Sequence, residues 1–346
     1  MMYGTDFPSS EYLIPDNNPT TLVQDVIPVF DKADLRFGNL EGCFLDGGTV
    51  YKNCKDTTKC YAFRTPVSYS DVLNNAGFDV VNLANNHIRD FGPPGLISTK
   101  SILEKLQIAY VGLEDRPSDT LWINGLKIGI CGFSPNTGTT QIGDLEGAKK
   151  IVNSLKSKCD IVIVSFHGGA EGSKHQNVTR QTEQFYGENR GNVYKFAHLM
   201  IDNGADIIFG HGPHVPRAIE VYKNRFISYS LGNFCTYSRF NLDYPNNLTP
   251  VIEVHVSAKG QFIKGKIHPF VQIKGLGVLE DSQNKVIAKI TDLTRNDFPE
   301  LNNSLVIDSS GDIFKLFSKC MIPKGLDHEN IFPDTKELKG YLKDDL

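Results

Sequence analysis

Four short polar clusters contain the residue types that metal chemistry needs. Each cluster follows an apolar run of the length expected for a buried strand. In chain order, the runs and the polar residues after them are Leu35–Leu40 with Glu41, Val80–Leu83 with Asn86 and His87, Ile161–Phe166 with His167, and Ile207–Phe209 with His211 and His214. Imidazole, carboxylate and amide oxygen together suit divalent metals such as Zn, Mn or Fe. Because ligands of open α/β sheets bind beyond the carboxyl ends of strands, the clusters predict one shared site.

Each cluster also has an ordinary structural explanation. A single histidine at a strand end is most often a satisfied polar residue, and Asn85–Asn86 is a good turn signal. Gly210–His214 is equally compatible with a tight loop, and Glu41 with a helix cap. The joint pattern favours the metal hypothesis, because four of the nine histidines follow apolar strand ends in this way.

The segments between the apolar runs have the spacing of amphipathic helices. The predicted helices are Pro66–Ala76, Gly95–Leu106, Leu145–Leu155 and Val193–Asp202. Strands that alternate with helices indicate an α/β fold. After Arg217 the pattern changes to successive strands with tight turns. These predicted strands are Ala218–Tyr222, Arg225–Ser230, Val251–Val256 and Phe262–Phe270.

The remainder of the chain is predicted to be a C-terminal extension. From about Gly275 onward the sequence is polar and irregular, with one short helix predicted at Ile313–Phe317. We therefore predict a main domain over residues 1–275 and an extension over residues 276–346 that packs on it.

Composition excludes several classes of protein. The 346 residues are 40% hydrophobic and 22% charged, which is typical of a globular protein. The net charge of −4 and the lack of a Lys/Arg stripe argue against a nucleic-acid partner. No apolar run approaches the roughly 18 residues that span a bilayer, and no signal peptide is visible. Cys54 and Cys60 flank a polar loop, which predicts either a small disulfide from an oxidising compartment or half of a zinc site.

At these motifs the sequence resembles the CapA family of bacterial capsule (poly-γ-glutamate) biosynthesis proteins, which is similar to the calcineurin-like metallophosphoesterases. The matching stretches are Ala33–Glu41, Gly77–His87, Gly204–Val215 and Ser228–Phe234, and the resemblance extends from Met1 to about Val271. It implies a four-layer α-β-β-α sandwich of metallophosphoesterase type. That expectation agrees with the α/β half and the β-rich half predicted from the residue pattern.

The resemblance also implies roles for the clustered residues. Glu41 resembles a carboxylate that bridges two divalent metal ions, and Asn86 resembles their amide ligand. His167 and His211 resemble ligands of one metal, and His214 a ligand of the other. His87, the partner of Asn86 in the motif, resembles a histidine beside the leaving group that either supports the metal ligands or acts as general acid.

Further polar residues near the motifs are candidates for catalysis and substrate binding. Glu171 matches a family position and either orients a ligand histidine or is solvated. Lys174, His175 and Arg180 lie in a polar insertion that either binds an anionic substrate, such as a carboxylate polymer, or is a solvated loop. Arg217 closely follows His214 and faces either the site or the second sheet.

Two departures from the family pattern limit what can be carried over. The family opens with a strand that ends in Gly-Asp, whose Asp is a metal ligand, whereas Met1–Gly4 resembles the turn that follows it. The first strand and its ligand are therefore expected upstream, together with an export signal or lipid anchor, and metal is expected to be held incompletely here. The spacing of His211 and His214, His-x-x-His, also differs from the His-x-His of the wider phosphoesterases, which weakens any transfer of phosphatase activity.

Three functions are compatible with these observations. The leading hypothesis is an exported protein of capsule or cell-surface polymer biosynthesis, acting on a phosphoryl or amide-type bond with metal assistance. Its expected partners are an anionic polymer or phosphoryl-type substrate and other capsule-synthesis membrane proteins. It would reach the membrane only through an upstream anchor. The alternatives are a non-catalytic scaffold or polymer-binding subunit, and a cytoplasmic phosphoesterase of small molecules or nucleotides.

Overall fold

The computed structural model describes residues 1–52 and 61–316. The strands are β1 Phe37–Asn39, β2 Cys43–Phe44, β3 Arg64–Thr65, β4 Val80–Asn82, β5 Ala109–Val111, β6 Ser118–Ile123, β7 Leu126–Phe133, β8 Ile161–His167, β9 Gln184–Phe185, β10 Glu188–Asn189, β11 Ile207–His211, β12 Ile219–Tyr222, β13 Arg225–Ser228, β14 Leu248–Val256, β15 Phe262–Ile273, β16 Gly277–Glu280, β17 Leu305–Ile307 and β18 Asp312–Lys315. The α-helices are α1 Ile27–Phe30, α2 Val72–Asn75, α3 Gly92–Lys105, α4 Leu145–Lys156, α5 Val193–Asp202 and α6 Lys285–Asp297.

Three sheets carry most of these strands. A parallel sheet has the order β1-β4-β5, and a six-stranded mixed sheet has the order β12-β13-β11-β8-β7-β6. In the latter, β13, β11, β8 and β7 run parallel, and β12 and β6 pair antiparallel at its two edges. The antiparallel sheet has the order β14-β15-β18-β17, with β16 also paired to β15. The strand order places β8 and β11 side by side in the middle of the largest sheet.

Side-chain alternation along β8 shows how the layers stack. Val162 and Val164 point toward α4 and α5, in a core that includes Val152 and Phe196. Their neighbours Ile161 and Ile163 belong instead to a second core, shared with the other two sheets. Because successive side chains of a strand point to opposite faces, this sheet is covered by helices on one side and by sheets on the other.

The β1-β4-β5 sheet forms the opposite half of the sandwich. Val80 of β4 faces the core between the sheets, whereas Val81 packs with Leu73 of α2 and Leu103 of α3. The order of layers is therefore helix, sheet, sheet, helix, which confirms the predicted four-layer sandwich. Within the described residues, no helix is long and apolar enough to cross a membrane.

The predicted elements before residue 275 are largely confirmed. The helix at Val193–Asp202 has the predicted bounds, with the Asn192 side chain accepting from the backbone N–H of Lys195. The stretch Pro66–Ala76 differs from prediction. It forms a 3-10 turn at Val67–Tyr69 and then the single-turn helix α2, so the segment is not one continuous helix.

The expectation of an irregular chain after Gly275 is wrong for residues 276–316. This segment contains the 13-residue helix α6 and three strands of the antiparallel sheet. Val286, Ile290 and Leu293 give α6 a buried stripe at helical spacing, which the many polar residues between them conceal. Residues predicted as a helix at Ile313–Phe317 lie instead in β18, up to Lys315. The division at residue 275 stays a prediction, although the β15–β16 hairpin crosses it.

Candidate metal centre

The two central strands bring two of the predicted ligands together. β8 and β11 are parallel and in register, so His167 pairs directly with His211 at their carboxyl ends. Both side chains share the strand face of Ile163 and Ile207, which is the face toward the opposite sheet. On the opposite sheet, the ring of Phe37 in β1 lies 6.0 Å from the His211 ring, centroid to centroid. The two histidines are therefore neighbours at the strand ends, while their role as ligands stays a prediction.

His214 is oriented by a tight loop. Its own φ is +57° and that of Gly212 is +115°, where a Cβ would lie 2.9 Å from the backbone nitrogen of Gly168. Asn233 accepts from Nδ1 of His214 at 2.9 Å, since its amide nitrogen donates to the carbonyls of His214 and Asn246. The ring nitrogen Nε2 of His214 is therefore left to face the site.

Two carboxylates lie near that free nitrogen. Nε2 of His214 is 3.6 Å from Oε1 of Glu41 and 3.9 Å from Oε2 of Glu171. Glu41 follows β1, and its backbone nitrogen donates to the carbonyl of Met1 at 2.9 Å. Glu41, Glu171 and His214 therefore come from three distant parts of the chain and meet at one point.

The buried polar atoms of the predicted ligands lack hydrogen-bond partners. Within the described residues, these atoms are Oε1 of Glu41, Oδ1 of Asn86, both ring nitrogens of His167 and Nε2 of His211. Buried polar groups are nearly always paired, so a concentration of unpaired ones needs an explanation. The two side-chain oxygens and one nitrogen of each imidazole ring are atoms that a divalent cation accepts. The donor chemistry of the site therefore fits a metal ion.

The side chains themselves do not form a closed cage. Among residues 1–52 and 61–316, no group of three or more His, Cys, Asp or Glu side chains is positioned to hold a metal ion. Asn86, a predicted ligand, supplies an amide oxygen and lies outside that set of residue types. The structure thus brings potential ligands close together without arranging them into a complete coordination shell.

Burial sets the charge of the site. It lowers the pKa of His211 from 6.5 to about 3, helped by the Met1 ammonium group, and lowers the pKa of His167 well below its ordinary value. Burial alone would raise the pKa of Glu41. The electrostatic attraction of nearby groups is larger and holds the pKa of Glu41 well below its ordinary value; these groups are His214, His167, His87 and the Met1 ammonium group. Neutral imidazoles beside a carboxylate are the protonation states that metal binding requires.

His87 has a polar network of its own. Its Nδ1 donates to Oδ2 of Asp90 at 2.7 Å, which also accepts from the backbone nitrogen of Phe63. Oδ1 of Asp90 forms an ion pair with Lys52 at 3.1 Å. The Phe63 ring lies 4.6 Å from the imidazole, centroid to centroid. A carboxylate on Nδ1 fixes the ring and its tautomer, which leaves Nε2 for proton exchange. Sequence reasoning missed Asp90, whose only signal is its position three residues after His87.

Glu171 is held by a buried arginine, Arg190. Arg190 is 2% exposed and donates to Oε1 of Glu171 at 2.7 Å. The other oxygen, Oε2, is the one nearest His214. Arg190 therefore fixes the carboxylate that the sequence analysis offered as either orienting or solvated. The contact joins two loops that are 19 residues apart in the sequence, so only the tertiary structure shows it.

The four predicted substrate-binding residues have different surroundings. Lys174 is exposed, and His175 is partly buried and offers its backbone oxygen to Arg217. Arg180 pairs with Glu300 at 2.6 Å and packs over Tyr194 and Phe298. Their contacts do not bring these residues into the cluster around His214.

Arg217 is fully buried and makes four hydrogen bonds within the protein. It binds both oxygens of Glu183, at 2.8 and 2.9 Å, and donates to the carbonyls of Ala170 and His175. These contacts place the Arg217 side chain against the loop after β8. Its part in substrate binding stays a prediction.

The predicted cysteine pair, Cys54 and Cys60, lies outside the described residues. The cysteines that the structure does describe are buried and unpaired: Cys43, Cys131, Cys159 and Cys235. Burial raises the pKa of Cys43 to about 12 and that of Cys131 well above its ordinary value. Both thiols are therefore protonated core residues.

Fold and site define an α/β two-sheet sandwich protein with a histidine, carboxylate and amide cluster at its strand ends. The family described as "Bacterial capsule synthesis protein PGA_cap" matches residues 8–238, and the chain belongs to this family. The resemblance inferred from the motifs is thereby confirmed.

Curated relatives carry names from the same field. The chain is 33% identical over 230 residues to a PGA biosynthesis protein CapA of Bacillus subtilis, which covers 62% of this chain and 56% of that protein. It is 28% identical over 252 residues to a capsule biosynthesis protein CapA of Bacillus anthracis, which covers 67% and 54%. The chain thus spans about half the length of the curated relatives it matches.

Solved structures show weaker similarity. A putative 5'-nucleotidase from Staphylococcus aureus is 16% identical with a TM-score of 0.38, covering 68% of this chain and 44% of that one. A hypothetical protein from Thermus thermophilus is 16% identical with a TM-score of 0.41, covering 75% and 92%. At these scores the similarity carries no conclusion about activity.

Proposed function

We propose that the strand-end cluster binds divalent metal ions and serves the biosynthesis or processing of a capsule polymer. One observation carries the proposal: five buried polar atoms on Glu41, Asn86, His167 and His211 have no hydrogen-bond partner in the described protein. Leaving a buried polar atom unpaired costs about 1–3 kcal/mol, so five together strongly favour a ligand that satisfies them. A divalent cation is the ligand whose chemistry matches all four residues.

The residues that would hold the metal are Glu41, Asn86, His167, His211 and His214. When bound, divalent ions polarise a phosphoryl or carbonyl oxygen and activate water for attack. The protein's own contribution is positional. Asn233 keeps Nε2 of His214 directed toward the cluster, and the Arg190–Glu171 pair holds a carboxylate beside it.

His87 is the proposed proton donor to the leaving group. Its Nδ1–H is held by Asp90, so Nε2 carries a transferable proton when the ring is protonated. Phe63 covers one side of the ring, and the side chain is 6% exposed. A restrained, largely water-excluded imidazole is suited to deliver a proton at one defined position.

We propose an anionic polymer or a phosphoryl compound as substrate, and no nucleic acid. The names of the Bacillus relatives refer to PGA and to capsule, which supports a carboxylate polymer as the first substrate to test. We also propose association with the cell envelope and with capsule-synthesis membrane proteins, which the same names support. The polar insertion with exposed Lys174 is the proposed first contact for such a polymer.

A second candidate function is a polymer-binding subunit without catalysis. The observation that favours it is the incomplete set of ligands, since no three His, Cys, Asp or Glu side chains in the described chain form a metal cage. A site that binds metal weakly and has no catalytic activity would still bind an anionic polymer.

Metal binding by the purified chain separates these possibilities. We expect Mn²⁺ or Zn²⁺ to bind in calorimetry, and His211→Ala to weaken binding by about 10-fold or more because a buried ligand is lost. The matched control is His255→Ala, a histidine on β14 whose side chain is 46% exposed. Equal binding by both variants and the native chain would disprove the proposed centre.

Turnover distinguishes an enzyme from a binding subunit. The metal-loaded chain is incubated with a chromogenic phosphodiester and, separately, with poly-γ-glutamate. Hydrolysis that is lost in His87→Gln while metal affinity is retained supports the enzyme. Metal binding with polymer binding but no hydrolysis supports the second candidate.

A further inference from the structure

We propose that the guanidinium group of Arg190 is a binding subsite for one oxyanion of the substrate, next to the candidate metal centre. As a substrate subsite it rests on the proposed function, whereas the binding of an anion by Arg190 does not. Arg190 is 2% exposed and directly follows β10. A buried charged group needs hydrogen-bond partners, so donors that lack one require an explanation.

Most donors of this guanidinium group have no partner within the protein. Arginine has five N–H donors. Among the residues that the structure describes, only Nη2 makes a hydrogen bond, to Oε1 of Glu171 at 2.7 Å, and Nε is buried without a partner. Nη1 lies 3.6 Å from Oε2 of Glu188, which is beyond hydrogen-bond length. Donors on Nε and Nη1 are therefore available to a ligand.

Arg217 shows what a satisfied buried arginine is in the same region. Its Nε, Nη1 and Nη2 all donate, to Glu183 and to the carbonyls of Ala170 and His175. Arg190 is joined to the same glutamate only through the backbone, since its nitrogen donates to the carbonyl of Glu183 at 2.9 Å. The fold thus supplies a full set of acceptors for one arginine and not for the other. An acceptor from outside the chain accounts for this difference, because unpaired buried donors cost free energy.

Arg190 lies directly against the loop that follows β8. Its carbonyl accepts from the backbone nitrogen of Gly169 at 2.8 Å, and a Cβ on Gly168 would lie 2.9 Å from the same oxygen. Through Nη2 it holds Glu171, whose other oxygen lies 3.9 Å from Nε2 of His214. One side chain therefore separates the guanidinium group from the metal centre, and an anion on Arg190 would lie next to a group bound there.

The Nη1 side of Arg190 faces the protein surface. The side chain of Glu188 lies on this side and is 67% exposed. An exposed carboxylate at 3.6 Å is a weak partner, because water screens the interaction. An incoming anion would displace the Glu188 side chain into solvent, where its charge remains hydrated.

The chemistry of the group selects for an oxyanion. The planar guanidinium binds two oxygens of one carboxylate or phosphate group through neighbouring N–H groups, whereas a lysine offers a single point charge. A carboxylate polymer and a phosphoryl compound both carry such a group. The shared ligand is thus an oxyanion with at least two free oxygens.

The test is titration calorimetry on the purified full chain with inorganic phosphate and, separately, with glutarate. Each titration is run without metal and with Mn²⁺ at a concentration that saturates the variant tested. We expect at least one anion to bind the native chain with Mn²⁺. Arg190→Lys should weaken this binding by about 10-fold or more, because lysine keeps the charge and loses the planar donors.

Two further variants sharpen the comparison. Glu188→Gln removes the competing carboxylate and should tighten anion binding by about two- to fivefold. Arg295→Lys makes the same substitution at an exposed arginine in the last turn of α6 and should leave the affinity unchanged. The Nε–H signal of Arg190 in nitrogen NMR, assigned by its loss in Arg190→Lys, should shift when the anion is added. A purely structural arginine would show no such shift.

Phosphate and glutarate distinguish the two sources of the oxyanion. Binding of phosphate alone identifies a phosphoryl group as the ligand, and binding of glutarate alone identifies a carboxylate. Either result supports the subsite if Arg190→Lys weakens it. If the native chain binds no Mn²⁺, the proposed function fails, yet anion binding that Arg190→Lys abolishes in the metal-free chain still supports the subsite.

Two results would overturn the proposal. The first is equal anion affinity of the native chain and the folded Arg190→Lys variant. The second is binding of neither anion at about 10 mM, with or without Mn²⁺. If Arg190→Lys does not fold, judged by circular dichroism, the exposed Glu188→Gln replaces it, and an unchanged anion affinity in that variant contradicts the proposal.

Discussion

His167 and His211 lie buried at the carboxyl ends of two adjacent strands. Both ring nitrogens of His167 and Nε2 of His211 lack hydrogen-bond partners in the described protein. A buried imidazole that cannot share its proton costs free energy, and burial keeps both rings neutral at ordinary pH. The same two properties make them suitable metal ligands. At the scale of single residues, the site is thus a set of unsatisfied groups held in place by the sandwich.

The stability of the metal-free chain should fall in acid because of these rings. The pKa of His211 is about 3 in the folded chain, against 6.5 when exposed, so the unfolded state binds more protons between these values. The contribution is complete above pH 6.5 and is lost as the pH falls toward 3. Between pH 6.5 and 5 we expect a loss of up to about 2 kcal/mol from this residue in urea unfolding with a chelator.

A His211→Asn variant provides the comparison. Because it lacks the titrating ring, its unfolding free energy should depend less on pH over the same range. Identical pH slopes in the native chain and the variant would contradict the assignment of a buried neutral imidazole.

Arg190 should act on the metal site through Glu171. Arg190→Met removes the donor to Oε1 of Glu171 and frees the carboxylate to turn away from His214. Partners of this kind typically change metal affinity by about 10–100-fold, so we expect weaker Mn²⁺ binding on that scale. Calorimetry measures the affinity, and Arg190→Lys should recover part of it because a positive charge remains.

A purely structural arginine would give a different result. In that case Arg190→Met would lower the midpoint of thermal unfolding, yet the folded variant would bind metal as tightly as the native chain.

At the scale of elements, the loop after β8 is fixed by a buried ion pair. Arg217, at the start of the chain leading to β12, binds both carboxylate oxygens of Glu183 and the carbonyl of Ala170. Glu183 also accepts from the backbone nitrogen of Ala170 at 2.8 Å. The pair therefore ties the segment that contains Glu171 to the strand that follows His214.

Breaking this pair should destabilise the fold strongly. Arg217→Met leaves Glu183 buried without its partner, and such a loss costs about 3–5 kcal/mol. The double variant Arg217→Met with Glu183→Leu removes both charges and should recover much of the loss. Urea denaturation gives the free energies of unfolding.

The surface pair Arg180–Glu300 is the matched control. Its side chains are 39% and 50% exposed, and exposed pairs contribute about 0–1 kcal/mol. Equal destabilisation by Arg180→Met and Arg217→Met would show that burial does not govern these pairs.

At the scale of the whole molecule, the candidate ligands follow strands of both halves of the sandwich. Glu41 and Asn86 follow strands of the smaller sheet, whereas His167, His211 and His214 come from the six-stranded sheet. A metal ion bound between them would link the two layers. Any ligand that binds only the folded state raises the free energy of unfolding by mass action.

Metal should therefore stabilise the entire domain. At a free Mn²⁺ or Zn²⁺ concentration about 100 times the dissociation constant, the gain is about 2.7 kcal/mol. Differential scanning calorimetry should show a higher melting temperature that EDTA reverses. The His211→Ala variant should show little of this shift at the same metal concentration, and a shift equal to that of the native chain would place the metal elsewhere.

The sequence by itself determined the strands that carry the clusters, three of the longer helices and the position of the clusters. Short continuous apolar runs that end in polar residues predict β8 and β11, because runs of this length are typical of buried strands. The two-residue period of a strand then places His167 on the face of Ile163 and His211 on the face of Ile207. The family motifs added the expected sandwich, which the layers confirm.

Only the tertiary structure decided how the polar residues pair. Three of these contacts join segments that are far apart in the sequence, and no residue periodicity predicts them. They are Arg190 with Glu171, Arg217 with Glu183, and His214 with Asn233. The buried face of α6 is likewise decided by the tertiary structure, because packing against the sheets selects which of its residues are buried.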